Sequence, residues 1–228
     1  MKGVRVEEIN RLYHGSKNGI KGEIRPISRE KCDFGCGFYL GDKPDQPKGL
    51  IANRKNGMFY EIDYDLEGLK VKSFGDTYDE KLDWALFIAY NRKPELFENY
   101  RMLKKRFEKY NQDYDVIIGY IADDSMMATL TDFFDGTSSD KEMIDCLAHV
   151  KLGKQYVLKN EKSCEQNRIK IVESRPLTSN EIKLANAENE QRHNQMSSIM
   201  QMYRRKYRRD TSVKYIDEIM EEWNKNGL

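Results

Sequence analysis

Histidine and cysteine are scarce in this sequence, and a long apolar run is missing altogether. The 228 residues include 4 cysteines and 3 histidines. Cys32, Cys36, Cys146 and Cys164 are unevenly spaced and fit no disulfide framework. Cys32 and Cys36 lack a second ligand pair at zinc-finger spacing. They read as reduced thiols, and no metal is expected. No stretch approaches the roughly 20 apolar residues of a membrane helix. Met1 to Asn10 is polar and has no signal-peptide core. The expectation is a cytoplasmic protein without membrane association. An excess of one charge is also absent: 39 basic and 38 acidic side chains leave +1. Only local clusters can therefore name a charged partner. There is no phosphate-loop motif and no Rossmann glycine fingerprint after a strand.

What is present is 39% hydrophobic and 34% charged, which suits one cored domain with a polar surface and an appendage. Val4 to Tyr13 ends in a strand that delivers His14. A glycine-rich, charged loop runs from Lys17 to Gly37. Phe38-Tyr39-Leu40 reads as a strand, and Pro47 opens a short helix. Met58 to Tyr64 alternates at period two and Leu69 to Lys72 follows, both strands. Leu82, Ala85, Leu86 and Ala89 predict a helix over 79–92, and 94–110 predicts a second. Tyr114 to Ile121 is apolar and β-branched, a buried central strand. Helices over 126–134 and 141–150 precede strands at 155–159 and 169–172.

After Pro176 the character changes. Thr178 and Glu181 form a capping box before about 30 residues of helical patterning. Asp210-Thr211-Ser212 supplies a break and a new cap. Val213, Ile216, Ile219, Met220 and Trp223 then make the stripe of a last helix. The reading is an α+β body over 1–175 and a helical extension over 176–228.

Two stretches draw attention for chemistry. Leu12-Tyr13-His14-Gly15-Ser16 and Asp33-Phe34-Gly35-Cys36-Gly37-Phe38-Tyr39-Leu40-Gly41-Asp42 each set glycine, which admits close backbone approach, beside one polar aromatic group. In this order they resemble the first two motifs of the ADP-ribosyltransferase superfamily, in its His–Tyr–Glu branch. Gln155-Tyr156-Val157-Leu158 resembles the third, with Gln in the Glu position. The resemblance is closest to a small bacterial family without a firm function, often found beside antitoxin-like partners. It extends through Asn91-Arg92 and Tyr114 to Asp124, and ends near Val172.

The resemblance implies a split β-sheet fold and NAD as co-substrate. His14 would bond the adenosine-side ribose, and the Gly15 backbone would grip the nicotinamide carboxamide, with Ser16 and Phe38 beside them. Tyr39 would lie against the nicotinamide ring. Gln155 would face the other ribose, where an amide can accept a hydroxyl but cannot act as a general base. That favours mono-transfer. Arg92 could pair with a pyrophosphate oxygen, and Asp123 or Asp124 could act on the acceptor. Glu161 is a second choice for the Glu position, although a continuous strand would put it roughly 20 Å from Gln155. Glu188-Asn189-Glu190 spells the Glu-x-Glu turn of another transferase class but sits in the helical tail.

The basic residues Arg204, Arg205 and Arg208, interleaved with Tyr203 and Tyr207, suit phosphate contact and base stacking. A solvated helix face or a partner-protein surface are the alternatives. For Arg101, Lys104, Lys105, Arg106 and Lys109 a solvated helix face is the leading reading and nucleic-acid contact the alternative. The expected function is ADP-ribose transfer to a macromolecule, with nucleic acid favoured over protein. The expected setting is a toxin of a toxin–antitoxin or phage-defence pair. An NAD glycohydrolase and an inactive nucleotide- or partner-binding module are the alternatives.

Overall fold

A computed structural model of the chain describes residues 9–29, 31–122, 124–149 and 151–225. The start of the Val4 to Tyr13 segment, the candidate Asp123 and the expected end of a helix at Val150 lie outside them. The described residues form a mixed α+β fold. Seven strands make one sheet: β1 (Ile9–Ser16), β2 (Phe38–Gly41), β3 (Met58–Asp65), β4 (Val71–Ser73), β5 (Val116–Tyr120), β6 (Lys154–Leu158) and β7 (Ile169–Arg175). Their spatial order is β4-β5-β6-β2-β1-β3-β7. Only β4 and β5 pair in parallel; the other neighbours are antiparallel.

The sheet narrows at one place. β1 pairs with β3 along its whole length, from Ile9↔Asp65 to Ser16↔Met58, but meets β2 in a single register pair, Tyr13↔Gly41. Beyond that pair the two strands diverge. The sheet is thus two ladders, β4-β5-β6-β2 and β1-β3-β7, joined at one point.

Side chains alternate across a strand, so this register decides which residues share a face. Ile117, Val157 and Tyr39 face α2 (Tyr78–Arg92), α3 (Arg101–Asp113), α4 (Ala128–Phe134) and α5 (Asp140–Leu147), in the larger core. Leu12, Phe38, Leu40, Ile62 and Leu158 face the other way, into a smaller core that Ile20 and Ile24 of the long loop help to cover.

Helix α2 begins at a capping box, Thr77 with Glu80, which satisfies two otherwise orphaned donors. Its expected apolar stripe is wider in the fold: Trp84, Phe87 and Ile88 are buried as well. Each such side chain contributes roughly 1.5–3 kcal/mol of burial. Asp83 is buried in their midst and is fully partnered, with Arg106 at 3.0 Å and the Tyr110 hydroxyl at 2.7 Å.

The helix expected over 94–110 is interrupted. Pro94–Phe97 is one 3₁₀ turn and α3 starts at Arg101. Tyr100, between them, has φ −114° and ψ 61°, which is not helical. The turn drives Phe97 into the core against Tyr90, Phe107 and Phe134, a position a straight helix would not reach.

Of the tail, α6 (Ser179–Tyr207) starts at the expected Thr178–Glu181 capping box. Glu181 also receives Arg175 at 2.8 Å and Lys48 at 2.8 Å, tying α6 to β7 and to α1 (Asp45–Ile51). The last helix, α7 (Ile216–Lys225), does not start at Asp210–Ser212. There the Asp210 side chain takes the Ser212 N–H in a local turn, while the helix start is marked by Tyr215 N–H donating to Glu218 at 2.8 Å. Asx turns of this kind compete with a helix start. Val213 therefore precedes the stripe. Ile199, Ile216 and Ile219 are buried in the larger core, so the extension shares the hydrophobic interior of the body.

Candidate functional site

His14 stands where the sheet divides. Its Nδ1 lies 2.8 Å from the main-chain carbonyl of Tyr39, across the gap from β1 to β2. A carbonyl only accepts, so Nδ1 carries the hydrogen, and in the neutral ring Nε2 is left as an acceptor. Burial pushes the pKa of His14 down, against the opposing effect of that hydrogen bond, so the ring is neutral at pH 7. It stacks on Phe38, centroids 4.4 Å apart.

Gly15 has a packing reason of its own. A Cβ here would come 2.4 Å from the Pro47 carbonyl oxygen. The space that its missing side chain leaves is filled by α1.

The phenol of Tyr39 points away from the imidazole. Tyr13↔Gly41 sets His14 and Tyr39 on opposite faces of the sheet, and only the Tyr39 backbone meets His14. The Tyr39 hydroxyl donates to Gly35 O at 2.6 Å and accepts from Phe34 N–H at 3.1 Å. Burial first, and then the nearby Asp33, hold its pKa well above that of free tyrosine. It keeps its proton and pins the 33–37 loop. Lys159 pins the same loop from β6's end, through the carbonyls of Phe34 at 2.5 Å and Cys36 at 2.7 Å, and ties it to α3 through Asn111 Oδ1 at 3.1 Å. Burial pushes Lys159 down to about 8.

Gln155 is buried on β6, opposite Gly41 of β2 and Gly119 of β5. It shares the helix-covered face with Tyr39. Its Nε2 donates to Asp33 Oδ2 at 2.9 Å and to the Tyr120 carbonyl at 3.3 Å. Both partners accept, so the amide has one orientation. Arg92, at the end of α2, reaches Asp33 at 3.2 Å and also pairs with Asp124. Gln155, Asp33, Arg92 and Asp124, far apart in sequence, thus form one chain of contacts in that order. Burial raises the pKa of Asp33, while Arg92 and the Gln155 hydrogen bond draw it down.

Asp33 is a site residue that the sequence reading does not single out. Its signal is positional: it opens the Asp-Phe-Gly-Cys-Gly-Phe-Tyr stretch, but nothing local tells a buried carboxylate from a turn residue. Glu161 stays apart. β6 ends at Leu158 and Glu161 is exposed before a 3₁₀ turn. Ser16 pairs in register with Met58. In the last turn of α6, Arg204 pairs with Glu142 at 3.3 Å and Asp132 at 3.6 Å. Arg204, Arg205 and Arg208 line a shallow cavity of about 320 Å³ with Gln201. A second, about 410 Å³, lies between α6 and the loops that carry Lys43, His149 and Lys151. Neither includes His14, Tyr39 or Gln155. Among the described residues no group of three or more His, Cys, Asp or Glu could hold a metal ion. No helix among them is long and apolar enough to cross a membrane.

The described residues thus hold a mixed sheet divided beside a neutral histidine, with a buried amide–carboxylate–guanidinium chain on its helix-covered face. Residues 10–168 match the model of a family described as a protein of unknown function, DUF3990, and the chain belongs to that family. No curated protein and no solved structure matches it.

Proposed function

We propose that this chain is a mono-ADP-ribosyltransferase that moves ADP-ribose from NAD to a macromolecular acceptor. The observation that supports this most is the division of the sheet at Tyr13↔Gly41, with the acceptor Nε2 of His14 on one side and the oriented amide of Gln155 on the other. In this reading a dinucleotide spans the division and meets both. His14 would take a ribose hydroxyl of the adenosine half, and the Gln155 carbonyl a hydroxyl of the other ribose. The Tyr39 hydroxyl is engaged by the loop, so its ring alone would serve the nicotinamide.

The reaction breaks the bond between ribose C1′ and the nicotinamide nitrogen. The electron pair leaves with nicotinamide, which becomes neutral, and C1′ passes through an oxocarbenium-like state. An acceptor atom then bonds C1′ and gives up its proton. With no general base at 155 the site suits a single transfer, and orientation and electrostatics carry the rate. Water as acceptor would make it an NAD glycohydrolase.

Arg205 and Arg208, exposed at the end of α6 without an acidic partner among the described residues, favour a nucleic acid as acceptor. In this reading the chain is a cytoplasmic toxin of a toxin–antitoxin or phage-defence pair, with an antitoxin protein as partner. Two observations favour a second reading, an inactive nucleotide- or partner-binding module: the uncharged amide at 155, and Pro47 in the space beside Gly15.

The test is nicotinamide release from NAD by the full chain, run in parallel with labelled NAD and bacterial RNA, DNA or protein. Label on one fraction supports transfer and names the acceptor. Release without label selects the glycohydrolase. NAD binding without release selects the inactive module.

A further inference from the structure

A glutamate in the position of Gln155 would bring its own negative charge to the forming oxocarbenium; the amide brings none. The nearest acid to that amide is Asp33, which is 7% exposed and joined to Gln155 Nε2 at 2.9 Å. We infer that Asp33 is the site's positioning residue and its source of negative charge, acting through Gln155. The inference rests on the transferase reading above.

Three features carry it. The hydrogen bonds from Nε2 to Asp33 and to Tyr120 O occupy both amide hydrogens, which leaves the carbonyl Oε1 as the group for a ribose hydroxyl. Second, Arg92 lies 3.2 Å from Asp33 and is shared with the more exposed Asp124, so one guanidinium is divided between two carboxylates and supports an ionised Asp33 without being paired to it alone. A charge-assisted bond to the amide polarises it, making Oε1 a stronger acceptor. Third, hydrogen bonds hold the Asp33 backbone in place although it lies in a loop. Asn91 donates to its carbonyl at 3.2 Å, and Tyr39 and Lys159 clamp the backbone just after it. Tyr39 and Lys159 thereby gain a shared role, in fixing the loop that places this carboxylate.

The experiment measures kcat and KM for nicotinamide release by the full chain, with melting temperature alongside. Asp33→Asn keeps the shape and removes the charge. Its kcat should fall roughly ten- to hundred-fold with KM for NAD nearly unchanged. The double variant Asp33→Asn/Gln155→Glu moves the carboxylate to position 155, where the amide introduced at position 33 can donate to it. The Tyr120 carbonyl still receives the Trp84 indole N–H at 2.9 Å. This variant should recover most of the lost kcat, which a purely structural role for Asp33 would not produce. If Asp33→Asn fails to fold, a folded double variant within about ten-fold of wild type supports the assignment, and a folded but inactive one overturns it. Wild-type kcat in Asp33→Asn overturns it and leaves the transferase reading standing. No release by the wild-type chain, with or without acceptors, overturns both.

Discussion

His14 donates its Nδ1 hydrogen to the Tyr39 carbonyl at 2.8 Å, between two strands that share one register pair. The imidazole therefore serves as a strut across the division of the sheet, and it does so in the neutral form. Burial lowers its pKa from 6.5, so the unfolded chain takes up a proton first as pH falls. The His14 contribution to stability is complete above about pH 6.5 and is lost as pH drops towards the depressed folded value. Asp33 and Glu142, both raised by burial, act with the opposite sign. The difference between wild type and His14→Gln isolates the histidine. Melting temperatures from pH 5 to 8 should show wild type losing ground on the variant as pH falls. Parallel curves would refute the buried neutral ring.

Gly15→Ala tests whether the glycine is needed for packing. The added Cβ would meet the Pro47 carbonyl at 2.4 Å, a backbone atom that cannot rotate away. Overpacking of this kind costs about 1–3 kcal/mol. Urea unfolding without any nucleotide should show that loss. Unchanged stability would mean that α1 shifts freely and that the close contact has no structural weight.

The extension is joined to the body through apolar burial. Ile219 is 1% exposed in the larger core. Ile219→Ala should cost about 2–4 kcal/mol, with a single cooperative transition. Deletion of 176–228 should leave a chain that unfolds at a lower temperature or aggregates, because Met126 and its neighbours in the larger core lose their cover. A truncated chain with the full melting temperature would show that the body folds alone.

Arg204 and its neighbours on α6 should separate in their effects. Arg204 answers buried Glu142, so Arg204→Ala should lower the melting temperature. Arg205→Ala/Arg208→Ala should leave it unchanged and weaken RNA binding. Loss of two phosphate contacts should reduce the slope of log K against log salt by about 1.4 for a single strand. Wild-type affinity and slope in the double variant would remove nucleic acid from this face.

Local signals are the legible ones in this chain. Thr178 and Glu181 lie three residues apart and satisfy each other's backbone within one turn. The Val116–Tyr120 strand is visible because a short β-branched apolar run is buried wherever it folds. The Thr77–Glu80 box is just as local but is overshadowed by the apolar pattern that follows it. The break at Tyr100 leaves no such mark. It follows from where Phe97 must go, which depends on Tyr90, Phe107 and Phe134 together.

The sequence by itself determined the order and type of most elements, the helical tail, and the residue types at 14, 39 and 155. Those properties depend on neighbours within a few positions. Tertiary structure alone decided that one strand pair sets His14 and Tyr39 on opposite faces, and that Asp33 meets Gln155 from 122 residues away. A shift of one residue in the β1–β2 register would reverse the first relation. A loop held by Lys159 and Tyr39 creates the second. Neither register nor loop closure is encoded by spacing along the chain; both are fixed by packing of the two cores on the sheet.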